Sequence, residues 1–348
     1  MREQDYYERG YDDAPRRTKK AKKRKKKQSG SRGERVVVTL LSLLFLTVAV
    51  VATVKYVVRA PEPVTDNEDP QTQQDGTEED RDAVQTISNG RERKKYCYTI
   101  LVYGVDNDAG GSDTNMLMRF DAENKKIDVV SLPRDTLMSN GHKLNSSYNN
   151  GGTEKLRSNI EDMLGIPVDF YVSVDLQGFI SLIDQIGGVD FDVPEDMDYD
   201  DPYQDLHIHL KKGMQHLDGQ NALKVVRFRH NNDGSGYGTE DIGRIGTQQA
   251  FLKTVFKKML ANPQKITSYA QIFSEYVKTD LAVSELAWFG QQAILMGMDK
   301  LNFETLPGEW SDRLSRWVID QDAALELINN GLNPCTADRT LDDLHLVG

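Results

Sequence analysis

Apolar residues are spread very unevenly along this chain. Val36 to Val54 is an unbroken uncharged run, VVVTLLSLLFLTVAVVATV, close to the roughly 20 apolar residues a membrane-spanning helix needs. From Tyr96 onward apolar residues return in short stretches with regular spacing. Tyr98–Val105 reads as a buried strand. Asn115–Asp121 and Lys126–Leu132 alternate apolar and polar positions as half-buried strands do, with a turn at Ala122–Lys125. Thr153 opens a helical pattern that runs to Leu164 and stops at Gly165, with Pro167 beyond. Phe170–Val174 predicts a strand, Leu176–Ile186 a helix ended by Gly187-Gly188, and Val189–Val193 a strand. Helical spacing follows at Ile242–Leu260, Ser284–Met296 and Gln321–Asn329, and strand-like runs at Leu301–Leu306 and Trp317–Ile319. Strands interleaved with helices predict a single α/β domain with a central mixed β-sheet flanked by helices.

Charge divides the chain in the same places. Residues 1–35 hold 14 Lys+Arg and 6 Asp+Glu; the remainder holds 29 and 48, so the overall net charge of -11 combines a basic tail with an acidic body. The expected organisation is a basic disordered cytoplasmic tail (1–35), a transmembrane signal anchor (36–58), an acidic flexible linker (59–94) and one extracytoplasmic domain (95–348). The heavy basic load before the apolar run sets the orientation: N-terminus in the cytoplasm, the rest outside. A cleaved signal peptide is the alternative; the length of the run and the lack of a clear small-x-small cleavage site favour a retained anchor. An acidic body argues against nucleic acid as a partner, which would require a basic surface.

The two cysteines, Cys97 and Cys335, lack metal-type spacing. An extracytoplasmic domain permits a bridge between them; two small buried thiols is the other reading.

Candidate chemistry gathers where apolar runs end. Asp106 ends the first strand, a small polar loop follows, and Asp113 returns before the next strand. Two carboxylates flanking one loop suit Mg²⁺ or Mn²⁺, which binds through one or two carboxylates plus substrate phosphates; on spacing alone, two turn-forming aspartates look the same. Pro133-Arg134-Asp135 closes Lys126–Leu132, so Arg134 projects from a rigid corner, although a surface arginine paired with Asp135 has the same sequence. Lys143 and Asn145 follow a loop containing Gly141. Asp218-Gly219 precedes Asn221–Val226 and then Arg227-Phe228-Arg229; if that stretch is extended, Arg227 and Arg229 share a face and grip a diphosphate. The loop His230–Glu240 is rich in Gly, Asn and Asp and reads as mobile. Asp241 opens the next helix with Arg244 in its first turn. A cation there runs against the helix dipole, so either a bound phosphate or a nearby carboxylate has to compensate. His207 and His209 sit two apart and read as an exposed strand rather than a metal pair.

The order of these signals resembles the LytR-CpsA-Psr family of bacterial envelope proteins. The stretches that carry the resemblance are ILVYGVD, SDTNMLM, DVVSLPRDT, KLNSSYNNGG, GMQHLDGQNALKVVRFR and EDIGRIGTQQ, with LPGEW at Leu306–Trp310 similar to the family's C-terminal turn. The resemblance implies an apolar tunnel for a polyprenyl tail, arginines at its mouth for the pyrophosphate, and Mg²⁺. It also implies transfer of a glycopolymer, such as teichoic acid or capsule, from a polyprenyl-pyrophosphate carrier to peptidoglycan. By position it assigns Asp106 and Asp113 to the metal and Arg134 and Asp135 to catalysis. Arg227, Arg229, Arg244, Lys143 and Asn145 fall to the pyrophosphate, with Asp241 in support. Two departures from the family pattern stand out: the loop between Asp106 and Asp113 holds Asn107 or Asp108, and Gly111, where arginines are usual, and Thr247 replaces an arginine in the helix after Asp241. The implied location is the bacterial cell membrane, single-pass, with the C-terminal domain outside. A lipid-pyrophosphate hydrolase and a non-catalytic lipid-glycan-binding or regulatory protein are the alternatives.

Overall fold

The computed structural model describes residues 58–64, 87–88, 90–105, 111–203, 205–237 and 240–347, apart from the side chains of Ile87, Ser88, Glu240, Asp241 and Met298. The chain divides after residue 54, and all described residues belong to the unit formed by residues 55–348. The expected tail and most of the expected membrane anchor lie outside the described residues, among which no helix is long and apolar enough to cross a membrane.

A six-stranded sheet forms the centre. In chain order its strands are β1 (Cys97–Val105), β2 (Ser112–Asp121), β3 (Lys126–Leu132) and β4 (Phe170–Asp175), completed by β9 (Lys278–Thr279) and β10 (Leu301–Thr305). The spatial order is β9-β4-β1-β2-β3-β10. The β1–β2, β2–β3 and β4–β9 pairs are antiparallel, and β1–β4 and β3–β10 are parallel. The sheet is therefore mixed, as the pattern predicts.

Alternation along β1 assigns its two faces. Leu101, Tyr103 and Val105 pack with α1 (Ser146–Leu164) and α7 (Gln321–Leu327). Tyr98 and Ile100 join a cluster on the other side with α6 (Val283–Met296), alongside Trp288 and Phe289. This period of two is the signature of a strand buried on both faces. α1 is broken at Gly151 and Gly152, so its regular part starts near Thr153, where the sequence places it, and it ends at Gly165 in the left-handed conformation (φ 64°).

A third cluster joins α2 (Leu176–Gln185), β5 (Val189–Val193), β6 (Met197–Asp201), β7 (Leu206–Leu210), β8 (Gly213–Leu217), α3 (Gly219–Arg227) and α4 (Glu240–Leu260). α5 (Ile266–Tyr276) follows α4.

One reading needs correcting, and one left open is decided. Asn221–Val226 is not extended but lies within helix α3. Asp218 caps it, accepting from Asn221 N at 2.8 Å, and Ala222, Val225 and Phe228 are buried at a spacing of three, which is helical and not strand spacing. Cys97 and Cys335 are both buried and both free, so no bridge is formed.

Both ends of the stretch read as a linker are held by the domain. Tyr98 Oη donates to Pro61 O at 2.8 Å, and Val64 N donates to the buried Asp169 at 2.9 Å. Arg93 pairs with the same carboxylate at 2.6 Å, both side chains being fully buried. Residues 65–86 lie outside the described residues.

Candidate active site

The site forms where β2 begins, β3 ends and α4 passes over them. Its local rigidity comes from backbone bonds. Arg134 leaves β3 through Pro133, whose carbonyl accepts from Thr136 N at 3.0 Å and from Thr136 Oγ1 at 2.6 Å, closing a tight turn. Asn145 ties this corner to the start of β2: its N donates to Arg134 O at 3.0 Å, and its O accepts from Ser112 N at 3.5 Å. Asn145 thus acts through its backbone, fixing Arg134 relative to the neighbour of Asp113.

Across this junction Arg134 Nη1 meets Asp113 Oδ1 at 2.5 Å, with the side chains 25% and 34% exposed. Asp135 Oδ1 holds Lys143 Nζ at 2.7 Å and lies 3.7 Å from Arg134 Nε. Arg134, Asp113, Asp135 and Lys143 therefore form one chain of alternating charge. A small cleft opens beside it, lined by Asp113, Arg134 and Ser131 on the strand side and by Arg244, Ile245 and Gln248 from α4. Arg244 is 5% exposed. A guanidinium buried that deeply at the N-terminal end of a helix is costly unless anionic groups surround it.

Gln248 and Gln249 place α4. Gln248 Nε2 donates to Val226 O at 3.0 Å, tying the cleft wall to the end of α3 that carries Arg227. Gln249 Nε2 donates to Ser131 Oγ and Glu304 O, both at 2.9 Å, clamping α4 to β3 and β10. Sequence reading passed over this glutamine pair; the signal was two adjacent amides in a helix otherwise facing a core. Arg227 ends α3 and Arg229 follows the buried Phe228, both half-buried. Neither lines the small cleft beside Arg134 and Arg244.

The loop read as mobile is tied down over its described part. Asn231 N donates to Ser235 O at 2.7 Å, and Tyr237 Oη bonds Thr247 Oγ1 at 2.6 Å. Gly243 has no room for a side chain, since a Cβ would come within 2.3 Å of Tyr237 Cβ. Thr247, read as a missing arginine, is a buried anchor for this loop. Gly111, the other such position, has φ 85° and donates to Asn149 Oδ1 at 2.6 Å.

Of the predicted residues, Asp113, Arg134 and Arg244 line one cleft, and Asp135, Lys143 and Asn145 support it. Asp106 and the side chain of Asp241 lie outside the described residues. His207 and His209 stand on β7 opposite Asp200 and Asp198. For a divalent cation, the described residues hold no group of three or more His, Cys, Asp or Glu able to form a dedicated cage. One partly exposed carboxylate on the cleft, Asp113, still fits Mg²⁺, which binds through few carboxylates when substrate phosphates supply the remaining oxygens.

Guanidinium and carboxylate groups gathered at strand ends are of the chemical kind that suits phosphate oxygens and a divalent cation. The chain belongs to the LytR_cpsA_psr family, which it matches over residues 62–332. It is 33% identical over 234 residues to the polyisoprenyl-teichoic acid--peptidoglycan teichoic acid transferase TagV of Bacillus subtilis, covering 63% of this chain and 58% of that protein. It is 32% identical over 230 residues to the regulatory protein MsrR of Staphylococcus aureus, covering 63% and 67% respectively. The matched region thus spans less than two thirds of TagV. The crystal structure of B. subtilis TagV superposes with a TM-score of 0.55 at 30% identity, covering 65% of this chain and 91% of that one.

Proposed function

We propose that this protein is a membrane-anchored phosphotransferase that moves a glycopolymer, such as teichoic acid or capsule, from a polyprenyl-pyrophosphate carrier onto peptidoglycan outside a bacterial cell. The observation that carries this reading is the convergence of Arg134, Arg244 and Asp113 on one cleft, in a chain similar to a named teichoic acid transferase.

In this reading an acceptor sugar hydroxyl attacks the phosphorus bonded to the glycan. The new O–P bond forms as the bond to polyprenyl phosphate breaks, and the leaving phosphate takes the electron pair. Asp135 takes the hydroxyl proton. Arg134 spreads the charge that builds on the phosphoryl oxygens, and such charge stabilisation supplies most of the rate gain in phosphoryl transfer. It is not the base, since a guanidinium keeps its proton. Arg244 holds the diphosphate at the end of α4, assisted by Arg227 and Arg229 from the adjoining segment. Lys143 fixes Asp135, and Asp241 supports the helix end. Mg²⁺, held by Asp113 and Asp106 together with the diphosphate, would neutralise phosphate charge. With the cation bound, Asp113 would serve as its ligand, and Arg134, paired with Asp113 in this structure, would be available to the substrate.

The second reading is a lipid-glycan-binding or regulatory protein. Its support is the ion pair that already occupies Arg134, together with Gly111 and Thr247 at positions where the family usually has arginine. The test incubates the full-length chain with a polyprenyl-pyrophosphate glycan, peptidoglycan oligomers and Mg²⁺, beside Arg134→Ala. Glycan joined to peptidoglycan through one phosphate, and lost in the variant, is the expected product. Free phosphorylated glycan would mean hydrolysis, and intact bound lipid without transfer would establish the binder.

A further inference from the structure

The Leu306–Trp310 motif has no part in the chemistry above, yet it sits against it. It leads into a hairpin of β11 (Gly308–Ser311) and β12 (Arg316–Ile319), in which Trp310 lies directly opposite Trp317. All but one of the motif's side chains have a clear structural role or setting. Leu306 is fully buried, and its carbonyl accepts from Trp317 Nε1 at 3.3 Å. Pro307 O accepts from Asp320 N at 3.1 Å. Gly308 cannot carry a side chain, because a Cβ would come within 2.2 Å of Val318 O and 2.7 Å of Trp317 Nε1. Glu309 is a solvated strand position. Trp310 alone has no such role: it is 49% exposed.

The hairpin is bonded to the reacting corner itself. Trp317 N donates to Asp135 O at 3.0 Å, and Leu137 N donates to Trp317 O at 2.9 Å. β12 therefore lies one strand spacing from the Arg134-Asp135 turn, and β11 two, about 10 Å. An exposed indole at that distance from the proposed phosphoryl-transfer corner presents an apolar face with a polar N–H where a substrate would pass. Its neighbours in the hairpin, Glu309, Asp312, Arg313, Leu314 and Ser315, are exposed. An exposed aromatic face on a hairpin that carries hydrogen-bonding side chains suits a sugar ring, whose C–H face packs on the indole while its hydroxyls meet polar groups.

We infer that Trp310 and the β11–β12 hairpin form the platform on which the carbohydrate acceptor strand lies. The acceptor is favoured over the donor polymer because the hairpin bonds the backbone carbonyl of Asp135, the residue whose carboxylate is assigned the proton of the acceptor hydroxyl. The diphosphate side is built from α3 and α4. This inference rests on the transferase reading only for its label of acceptor; the binding surface itself stands without it.

The test uses the full-length chain in detergent micelles with Trp310→Ala and Trp310→Phe. Binding of soluble peptidoglycan glycan fragments is measured without donor, and transfer kinetics are measured with acceptor and donor varied in turn. Loss of one stacking contact predicts roughly a 2- to 10-fold weaker glycan affinity and a matching rise in acceptor KM for the alanine variant. Donor KM and the denaturation midpoint should stay unchanged, and the phenylalanine variant should recover most of the affinity. Unchanged glycan binding in Trp310→Ala would overturn the inference, as would a rise in donor KM instead, or a drop in stability that tracks the affinity loss. If wild type binds glycan through Trp310 but transfers nothing, the platform stands and the transferase reading fails.

Discussion

Arg134 and Asp113 close on each other at 2.5 Å across the junction of β2 and β3. Both side chains are partly exposed, so the pair is worth about 1 kcal/mol or less to folding. Its position on the cleft matters more than its strength. Arg134→Lys keeps the charge but loses the planar fork that matches phosphate oxygens. We expect that variant to unfold within a degree or two of wild type and to transfer glycan at least about 100-fold more slowly. A circular-dichroism melt beside the transfer assay checks both halves. Equal losses in melt and activity would assign Arg134 a structural role.

Gln249 is the mechanical counterpart of that pair, a single amide reaching Ser131, Glu304 and Thr305. Gln249→Ala leaves a buried hydroxyl and a carbonyl short of a donor, at about 1–3 kcal/mol. α4 then loses its fixed distance from β3, and with it the position of Arg244. The expected result is lower stability together with a raised KM for the lipid-linked donor, because Arg244 is the residue proposed to hold the diphosphate. A stability loss with donor KM unchanged would show that α4 stays in place without the clamp.

Most of the sheet was legible in the sequence because its strands carry one-residue alternation over long stretches. Lys126–Leu132 was bounded as found. What stayed hidden followed physical reasons. β6 is MDYDD, a composition that intrinsic preference keeps out of strands; it pairs with β7 because Met197 and Tyr199, the latter opposite Ile208, pack into the third cluster, leaving Asp198 and Asp200 on the exposed face. α3 is short and opens with Asp-Gly, which mimics a turn. Of the charged candidates, Asp113, Arg134 and Arg244 meet at one cleft, while Gln249, which ties α4 to β3, gave no signal of its own.

Gly111 was legible only as a lost arginine. Its φ of 85°, and the 3.3 Å that would separate an added Cβ from Asn145 O, give a backbone reason for glycine. Gly111→Arg should therefore destabilise by about 1–2 kcal/mol and bring no gain in transfer. Faster turnover at unchanged stability would show instead that the position is simply short of a charge.

Asp169 concentrates the demands of three segments. It receives Arg93, Thr99 N at 2.8 Å and Val64 N at 2.9 Å, at a fully buried position. Asp169→Asn leaves the Arg93 guanidinium buried without its counter-charge, at a cost of about 3–5 kcal/mol. The partly exposed Arg91–Asp343 pair, at 2.7 Å with side chains 24% and 25% exposed, supplies the contrast: Asp343→Asn should cost about 1 kcal/mol or less. Equilibrium denaturation of the two variants side by side tests whether burial, and not pairing distance, sets the penalty.

The two thiols make the last prediction. Burial, reinforced by Asp121, pushes Cys97 from 9.0 up to about 12, and burial also raises Cys335. At pH 8 only roughly one Cys97 in ten thousand is then a thiolate, and the thiolate is the reactive form. Iodoacetamide should leave the native protein unlabelled at pH 8 and modify both cysteines once guanidinium unfolds it, with no reductant needed. The same shift sets a pH dependence. Above 9.0 the unfolded chain releases thiol protons that the folded chain retains, so stability should fall as pH climbs from 9 toward 12. Cys97→Ala should flatten that decline, although it also leaves a small cavity. Failure to label in guanidinium before reduction would mean that the two cysteines form a bridge after all.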